Sequence, residues 1–133
     1  MKVILDTNVL IAAFAARGLC SVLLEYCLSR CEIVISEDIF RELSEHLTGK
    51  LKLPPVHYDR ILAFLRESCT ISGVDTVDDL QCRDMNDLHV LGLARRSLAG
   101  HIITGDKDLL ELKSCGDTRI VTPREFWQIL KNG

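Results

Sequence analysis

Short apolar segments that end at polar residues alternate with longer segments of helical periodicity along this chain of 133 residues. Residues 3–5, 33–35, 101–104 and 119–121 have the length and β-branched content of strands, and one further short strand is expected within 71–80. Strands that alternate with helices form parallel sheets covered by helices on both faces. The sequence therefore predicts a three-layer α/β/α fold around a central, mainly parallel sheet of about five strands.

The segments between these strands have the spacing of helices. Pro54 and Pro55 separate two of them, and Gly100 follows another as a helix terminator. No repeat, linker or low-complexity segment interrupts the pattern, so one globular domain over residues 1–133 is expected. The predicted helices cover residues 9–16, 19–30, 37–50, 56–69, 84–98 and 109–113, with a last helix that begins near Pro123.

Charge and the first residues limit the classes of function. A formal net charge of −3 argues against binding nucleic acid by neutralising its phosphates, unless some acids hold divalent cations that face the phosphates. The first apolar run stops at Asp6, far short of a signal-peptide core or a membrane span. A cytoplasmic location is therefore expected.

The cysteines predict buried thiols rather than a metal site. Cys20, Cys27 and Cys31 are spaced to share one face of a helix. The sequence contains no Cys-x-x-Cys pair, and no histidine stands at a zinc-like spacing from a cysteine. We therefore interpret the cysteines as free thiols of the core.

Four acidic residues stand where the predicted strands would bring them together. Asp6 directly follows the first strand, Asp106 follows the strand at 101–104, and Asp87 lies at the start of the helix that leads into that strand. Glu42 lies one turn inside the helix after the second strand, beside its apolar stripe. Functional groups of open α/β sheets collect beyond the carboxyl ends of the strands, so these acids are candidates for one site.

Each acid alone has a simpler explanation. Aspartate is a preferred cap at helix N-termini, and most glutamates on helices are solvated surface residues. Together in one cleft, four carboxylates would repel one another and would stay ionised at neutral pH only by sharing cations. An all-oxygen site suits Mg²⁺ or Mn²⁺, and such a metal supplies the chemistry of phosphodiester hydrolysis.

Five segments occur in order along nearly the whole chain: Val-Ile-Leu-Asp-Thr-Asn-Val-Leu at 3–10, Ser-Glu-Asp-Ile-Phe-Arg-Glu-Leu at 36–43, Asp-Met-Asn-Asp at 84–87 with Ala94, Ile-Thr-Gly-Asp-Lys-Asp-Leu-Leu at 103–110 and Val-Thr-Pro-Arg-Glu-Phe at 121–126. In this order and spacing they resemble the PIN-domain family. The resemblance implies an RNA-cleaving enzyme that depends on Mg²⁺ or Mn²⁺, often the toxin of a VapC-like toxin–antitoxin pair. It also implies a small antitoxin and a homodimer as partners.

The same resemblance implies roles for individual side chains. Asp6 would be the central metal ligand, Glu42 and Asp87 would complete the first metal site, and Asp106 would hold a second metal or a water bound to it. Asn8 and Thr104 would orient carboxylates or water. The implied metal ligands are Asp6, Glu42, Asp87 and Asp106, with Asp108 as an auxiliary ligand or else the cap of the short helix after it.

One motif departs from the family pattern. Relatives commonly read Asp-Pro-Asp-Asp where this chain has Asp84-Met85-Asn86-Asp87. We take Asp87 as the ligand because it stands seven residues before Ala94, and Asp84 as a cap or surface acid. His46 and His89 are interpreted as structural residues outside the site.

Two other functions are compatible with the pattern. One is a PIN-like module that has lost catalysis and binds RNA or protein. The other is a phosphotransfer domain with Asp6 as a covalent nucleophile. Haloacid-dehalogenase-like phosphatases usually need a second aspartate where this chain has Asn8, and the acidic pair and acceptor strand of receiver domains are not found.

Overall fold

The computed structural model describes residues 1–49, 53–76 and 87–132. Six strands lie within these residues: β1 (Lys2–Leu5), β2 (Glu32–Ile35), β3 (Thr70–Ile71), β4 (His101–Ile103), β5 (Ser114–Cys115) and β6 (Thr118–Val121). The helices of the same residues are α1 (Thr7–Ala15), α2 (Leu19–Arg30), α3 (Glu37–Gly49), α4 (Pro55–Ser68), α5 (Leu88–Ser97), α6 (Lys107–Leu112) and α7 (Pro123–Asn132).

The strands form one sheet in the order β3-β2-β1-β4-β6-β5. All neighbouring pairs are parallel except β5 with β6. The predicted α/β fold with a mainly parallel sheet is confirmed. The additional strand is β5, which pairs with β6 across a turn where Gly116 has a φ of +60°. Two residues are too short for a strand period, so the sequence pattern did not predict it.

The central strands are buried on both faces. Val3, Ile4 and Leu5 of β1 are each at most 1% exposed, although successive side chains of a strand point to opposite sides of the sheet. Such continuous burial requires a helical layer on each face. Among the described residues, no single helix has the length and apolar content to cross a membrane, and α1 with α2 meets that criterion only as a pair bent by 107°.

Two helices begin earlier than the sequence predicted. Helix α1 starts at Thr7 instead of residue 9, because the Asp6 side chain accepts a hydrogen bond from the Thr7 N–H. Helix α6 starts at Lys107 instead of residue 109, because the Asp106 side chain caps it by accepting a hydrogen bond from the Asp108 N–H. Capping therefore extends each helix to the residue directly after the acid. The predicted helix start at residues 84–86, including Asp84, lies outside the described residues.

The cysteines are only partly core residues. Cys27 is fully buried, and this burial, together with the neighbouring Cys31, raises the pKa of its thiol to about 12. Cys20 and Cys31 are half-buried, and Cys31 lies just beyond the end of α2. Cys27 is therefore the core thiol that was predicted, whereas Cys20 and Cys31 are free thiols that are only partly buried and pack against the core. Cys82 lies outside the described residues.

A close backbone contact fixes helix α5. The N–H of Asp75 donates to the carbonyl oxygen of Gly92 at 3.2 Å. A Cβ on Gly92 would lie 2.1 Å from the Asp75 carbonyl oxygen and 2.6 Å from Cγ1 of Val74. Backbone atoms cannot yield to such an overlap cheaply, so this helix position requires glycine.

Gly92→Ala is therefore expected to lower the free energy of unfolding by about 1–3 kcal/mol, because the added methyl group displaces α5 from residues 74–75. Urea denaturation measures the change. The matched control is Gly49→Ala in α3, where a Cβ meets nothing within 4 Å. Equal stability of the two variants would contradict the packing argument.

Candidate active site

The pairing of β1 with β4 places Asp6 beside Thr104. Leu5 is in register with Ile103, and the N–H of Asp6 donates to the Ile103 carbonyl oxygen at 3.0 Å. Each strand then leaves the sheet at its next residue. The chain runs from β1 to β2 on one side, whereas β4 lies on the other side of β1, so this edge is a topological switch point. Ligand sites of open α/β sheets form at such points.

The Asp6 carboxylate is held by three hydrogen bonds. Oδ1 accepts from the Thr7 N–H at 2.8 Å. Oδ2 accepts from the Thr104 hydroxyl at 2.7 Å and from the Asn8 amide at 2.9 Å. Since Asp6 is only 6% exposed, these bonds fix one orientation of the carboxylate.

Burial changes the acidity of Asp6. Loss of solvent raises the pKa of Asp6 above its ordinary value, and hydrogen bonds from Thr104 and Thr7 lower it in part. The nearby Asp106 carboxylate raises the pKa further, and His89 lowers it. The ionised form of Asp6 is thus costly in this cleft, and a bound cation would stabilise it.

Asn8 and Thr104 also join the two loops that follow β1 and β4. The Asn8 side-chain oxygen accepts from the Gly105 N–H at 2.9 Å, and the Thr104 hydroxyl accepts from the Asp106 N–H at 2.9 Å. Asp106 in turn accepts from the Asp108 N–H at 2.8 Å. The cap of α6 is therefore Asp106, and the alternative that Asp108 caps this helix is wrong.

The four predicted acids line one cleft of about 230 Å³, together with Thr7, Asn8, Ile11 and His46. Carboxylate oxygens of Asp87, Asp106 and Asp108 lie within 4.8 Å of one another. Asp6 and Glu42 are outside this tight triple, although they line the same cleft. Asp6 and Asp106 each cap a helix and also line the cleft. A capping role for these aspartates therefore does not exclude a role in a shared site.

The donor set fits a hard divalent cation. The atoms that could bind a metal are carboxylate oxygens, and the Asn8 and Thr104 side chains orient the carboxylate of Asp6. Oxygen ligands suit Mg²⁺ and Mn²⁺ better than zinc, which prefers nitrogen and sulfur. The raised pKa of Asp6 points the same way, because burial and the nearby Asp106 carboxylate both disfavour its ionised form.

Two histidines contact Glu42, although the sequence interpretation left both outside the site. Nε2 of His89 lies 2.8 Å from Oε1 of Glu42. Nδ1 of His46 lies 2.9 Å from the Glu42 carbonyl oxygen, and His46 lines the cleft. His46 follows Glu42 by four residues on the same helix, and this spacing could have indicated that it lies near the site. His89 follows Asp87 by two residues, which is the corresponding signal for that histidine.

The family model of the PIN domain matches residues 2–108, which include all the acids of the cleft. The chain belongs to the PIN-domain family. Members of this family are generally nucleases and usually use a divalent metal.

A solved structure supports the fold of this PIN domain. It is the crystal structure of VapBC2 from Rickettsia felis bound to a DNA fragment from their promoter. The TM-score is 0.60 at 18% sequence identity, and the alignment covers 92% of this chain and 98% of that chain. At this identity the likeness concerns the fold alone. No curated protein sequence matches the chain.

Thr104→Val should show how far one hydroxyl organises this PIN-domain cleft. The variant keeps the side-chain shape but removes one of the three donors to the Asp6 carboxylate and leaves the Asp106 N–H without its acceptor. We expect a loss of about 1–3 kcal/mol in the free energy of unfolding. We also expect a further rise in the pKa of Asp6, because the strongest bond that lowers it is removed.

Urea denaturation and a carboxyl ¹³C NMR titration in excess chelator measure the two effects. Thr104→Ser is the matched control, since it keeps the hydroxyl and should keep both properties near those of the wild type. An unchanged Asp6 pKa in Thr104→Val would argue against the assigned hydrogen bond.

Proposed function

We propose that this PIN domain is an endoribonuclease that hydrolyses RNA phosphodiester bonds with Mg²⁺ or Mn²⁺. The observation that carries the proposal is the convergence of four acids from separate elements on one cleft at the switch point of the sheet. Membership of a family of nucleases supports the reaction class. The proposed catalytic residues are Asp6, Glu42, Asp87 and Asp106.

These acids would also hold the metal, with Asp108 as an auxiliary ligand. When bound there, the metal supplies Lewis-acid chemistry for attack on a phosphate. Asp6 is presented in a fixed orientation by Thr104 and Asn8, so little ordering is required when a cation binds. The acids alone would repel RNA, and we therefore propose that both substrate binding at the cleft and cleavage require the cation.

Water is the proposed nucleophile. The Thr7 hydroxyl lines the cleft but donates its hydrogen to Glu42 at 3.1 Å. Both oxygens of Asp6 accept hydrogen bonds, and the side chain is buried. These contacts favour hydrolysis over the formation of a phosphorylated Asp6.

The central test is cleavage of single-stranded and structured RNA by the purified chain. We expect cleavage only with Mg²⁺ or Mn²⁺ and a loss of at least about 100-fold in rate for Asp6→Asn, since the innermost ligand is removed. The fold should persist, as judged by circular dichroism. Asp59→Asn is the control, because Asp59 is an exposed acid on α4.

Other outcomes would point to the other functions. Undiminished cleavage by Asp6→Asn or in excess chelator would refute the proposal. RNA association without turnover would favour an inactive binding module, and phosphate retained on Asp6 after treatment with a phosphodonor would favour phosphotransfer.

We also propose that the chain is the toxin of a type II toxin–antitoxin pair, acting in the cytoplasm as a homodimer that a small antitoxin protein binds. The fold shared with a chain of the VapBC2 structure supports this biological role.

Induced expression in bacteria should arrest growth for the wild type and not for Asp6→Asn. Sedimentation velocity should give twice the monomer mass. Normal growth with the wild type would contradict the toxin role, and a monomer would contradict the dimer.

A further inference from the structure

Glu42 is attached to two other elements through a single oxygen. Its Oε1 accepts the hydroxyl hydrogen of Thr7, in α1, at 3.1 Å, and lies 2.8 Å from Nε2 of His89, in α5. The side chains of His89 and Glu42 are 17% and 32% exposed, so both are shielded from solvent in large part. The contact therefore joins α3 to α5 at the edge of the acidic cleft.

The surroundings of His89 determine which ring nitrogen bears the proton. Its Nδ1 is buried and has no hydrogen-bond partner among the residues that the structure describes. A proton on Nδ1 would be a buried donor without an acceptor, which is unfavourable. The Nε2–H tautomer avoids this and donates to the Glu42 carboxylate.

Both donors act on Oε1 of Glu42. Within residues 1–49, 53–76 and 87–132, no side chain donates a hydrogen bond to Oε2. Two donors from different helices fix the plane of the carboxylate and leave Oε2 available to a cation. His89 is not among the residues that line the acidic cleft, but lines an adjoining cleft with Arg41, Glu42 and Glu45. Its direct contact with the proposed ligands is therefore the one to Glu42.

We propose that His89 is a positioning residue for Glu42 and, together with Thr7, sets the affinity of the centre for its divalent cation. The inference rests on the proposed function, because it requires Glu42 to be a ligand. A carboxylate on a flexible side chain loses conformational freedom when it coordinates a metal. Donors that order it beforehand reduce this cost, and loss of such outer partners typically weakens metal binding by about 10–100-fold.

The test is direct titration of the full chain with Mn²⁺, followed by electron paramagnetic resonance of the free ion and by calorimetry, without RNA. We expect His89→Phe to raise the Kd for Mn²⁺ by about 10–100-fold. His89→Gln should restore the Kd to within a few-fold of the wild type, because its amide N–H can reach the place of Nε2. His57→Gln on α4 is the matched control and should bind as the wild type does.

Thr7 provides a second pair of variants that does not depend on how His89→Phe folds. Thr7→Val removes the other donor to Oε1 and should also weaken Mn²⁺ binding, whereas Thr7→Ser should not. Wild-type affinity in both His89→Phe and Thr7→Val would overturn the positioning role and leave the metal centre intact. A loss in His89→Phe that His89→Gln does not restore would assign the effect to packing and overturn it too.

Failure of the proposed function is distinguishable from failure of this inference. If the wild type binds no Mn²⁺, or if Glu42→Gln binds it equally well, Glu42 is not a ligand and both proposals fall. If the wild type binds Mn²⁺ through Glu42 and only the His89 and Thr7 variants are without effect, the nuclease proposal stands and the positioning role falls.

Discussion

The parallel pairing of β1 with β4 is the constraint on which the site depends. It brings Asp6 to within 2.7 Å of the Thr104 hydroxyl although the two residues are 98 positions apart in the chain. The driving force is apolar, because the strands bury Ile4 and Ile102 completely between the helical layers. Polar residues that directly follow such paired strands lie side by side at the same edge of the sheet. The core therefore fixes the distance between Asp6 and Thr104 before any ligand binds.

This arrangement makes one carboxylate serve two purposes. Asp6 caps α1 through the Thr7 N–H and presents its buried side chain to the cleft. Capping stabilises the helix, while desolvation of the carboxylate opposes ionisation and raises the pKa of Asp6. Without a cation the cleft therefore contains an unfavourable concentration of acids. An unfavourable local free energy of this kind is common at functional sites, where the stability of the rest of the fold offsets it.

The sequence predicted those parts of the fold that depend on local patterns. Strand β1, and the acid directly after it, followed from an apolar run that stops at Asp6. Helix α1 was predicted to start at residue 9, whereas it starts at Thr7, because Asp6 is its cap. The position of His89 two residues after Asp87 could mark it as a neighbour of the site, but it could not identify Glu42 as its partner, because the contact joins two helices that are distant in the chain. No periodicity within either helix encodes that distance.

The packing of α5 links these features. On one side the helix lies against residues 74–75, at a distance that only Gly92 permits. On another it reaches Glu42 through His89, and Asp87 stands at its N-terminus. A helix moves as a nearly rigid body, since its backbone hydrogen bonds resist local distortion. Displacement of α5 would then shift Asp87 and release Glu42 together, so these two acids of the cleft depend on a single packing contact one turn away from His89.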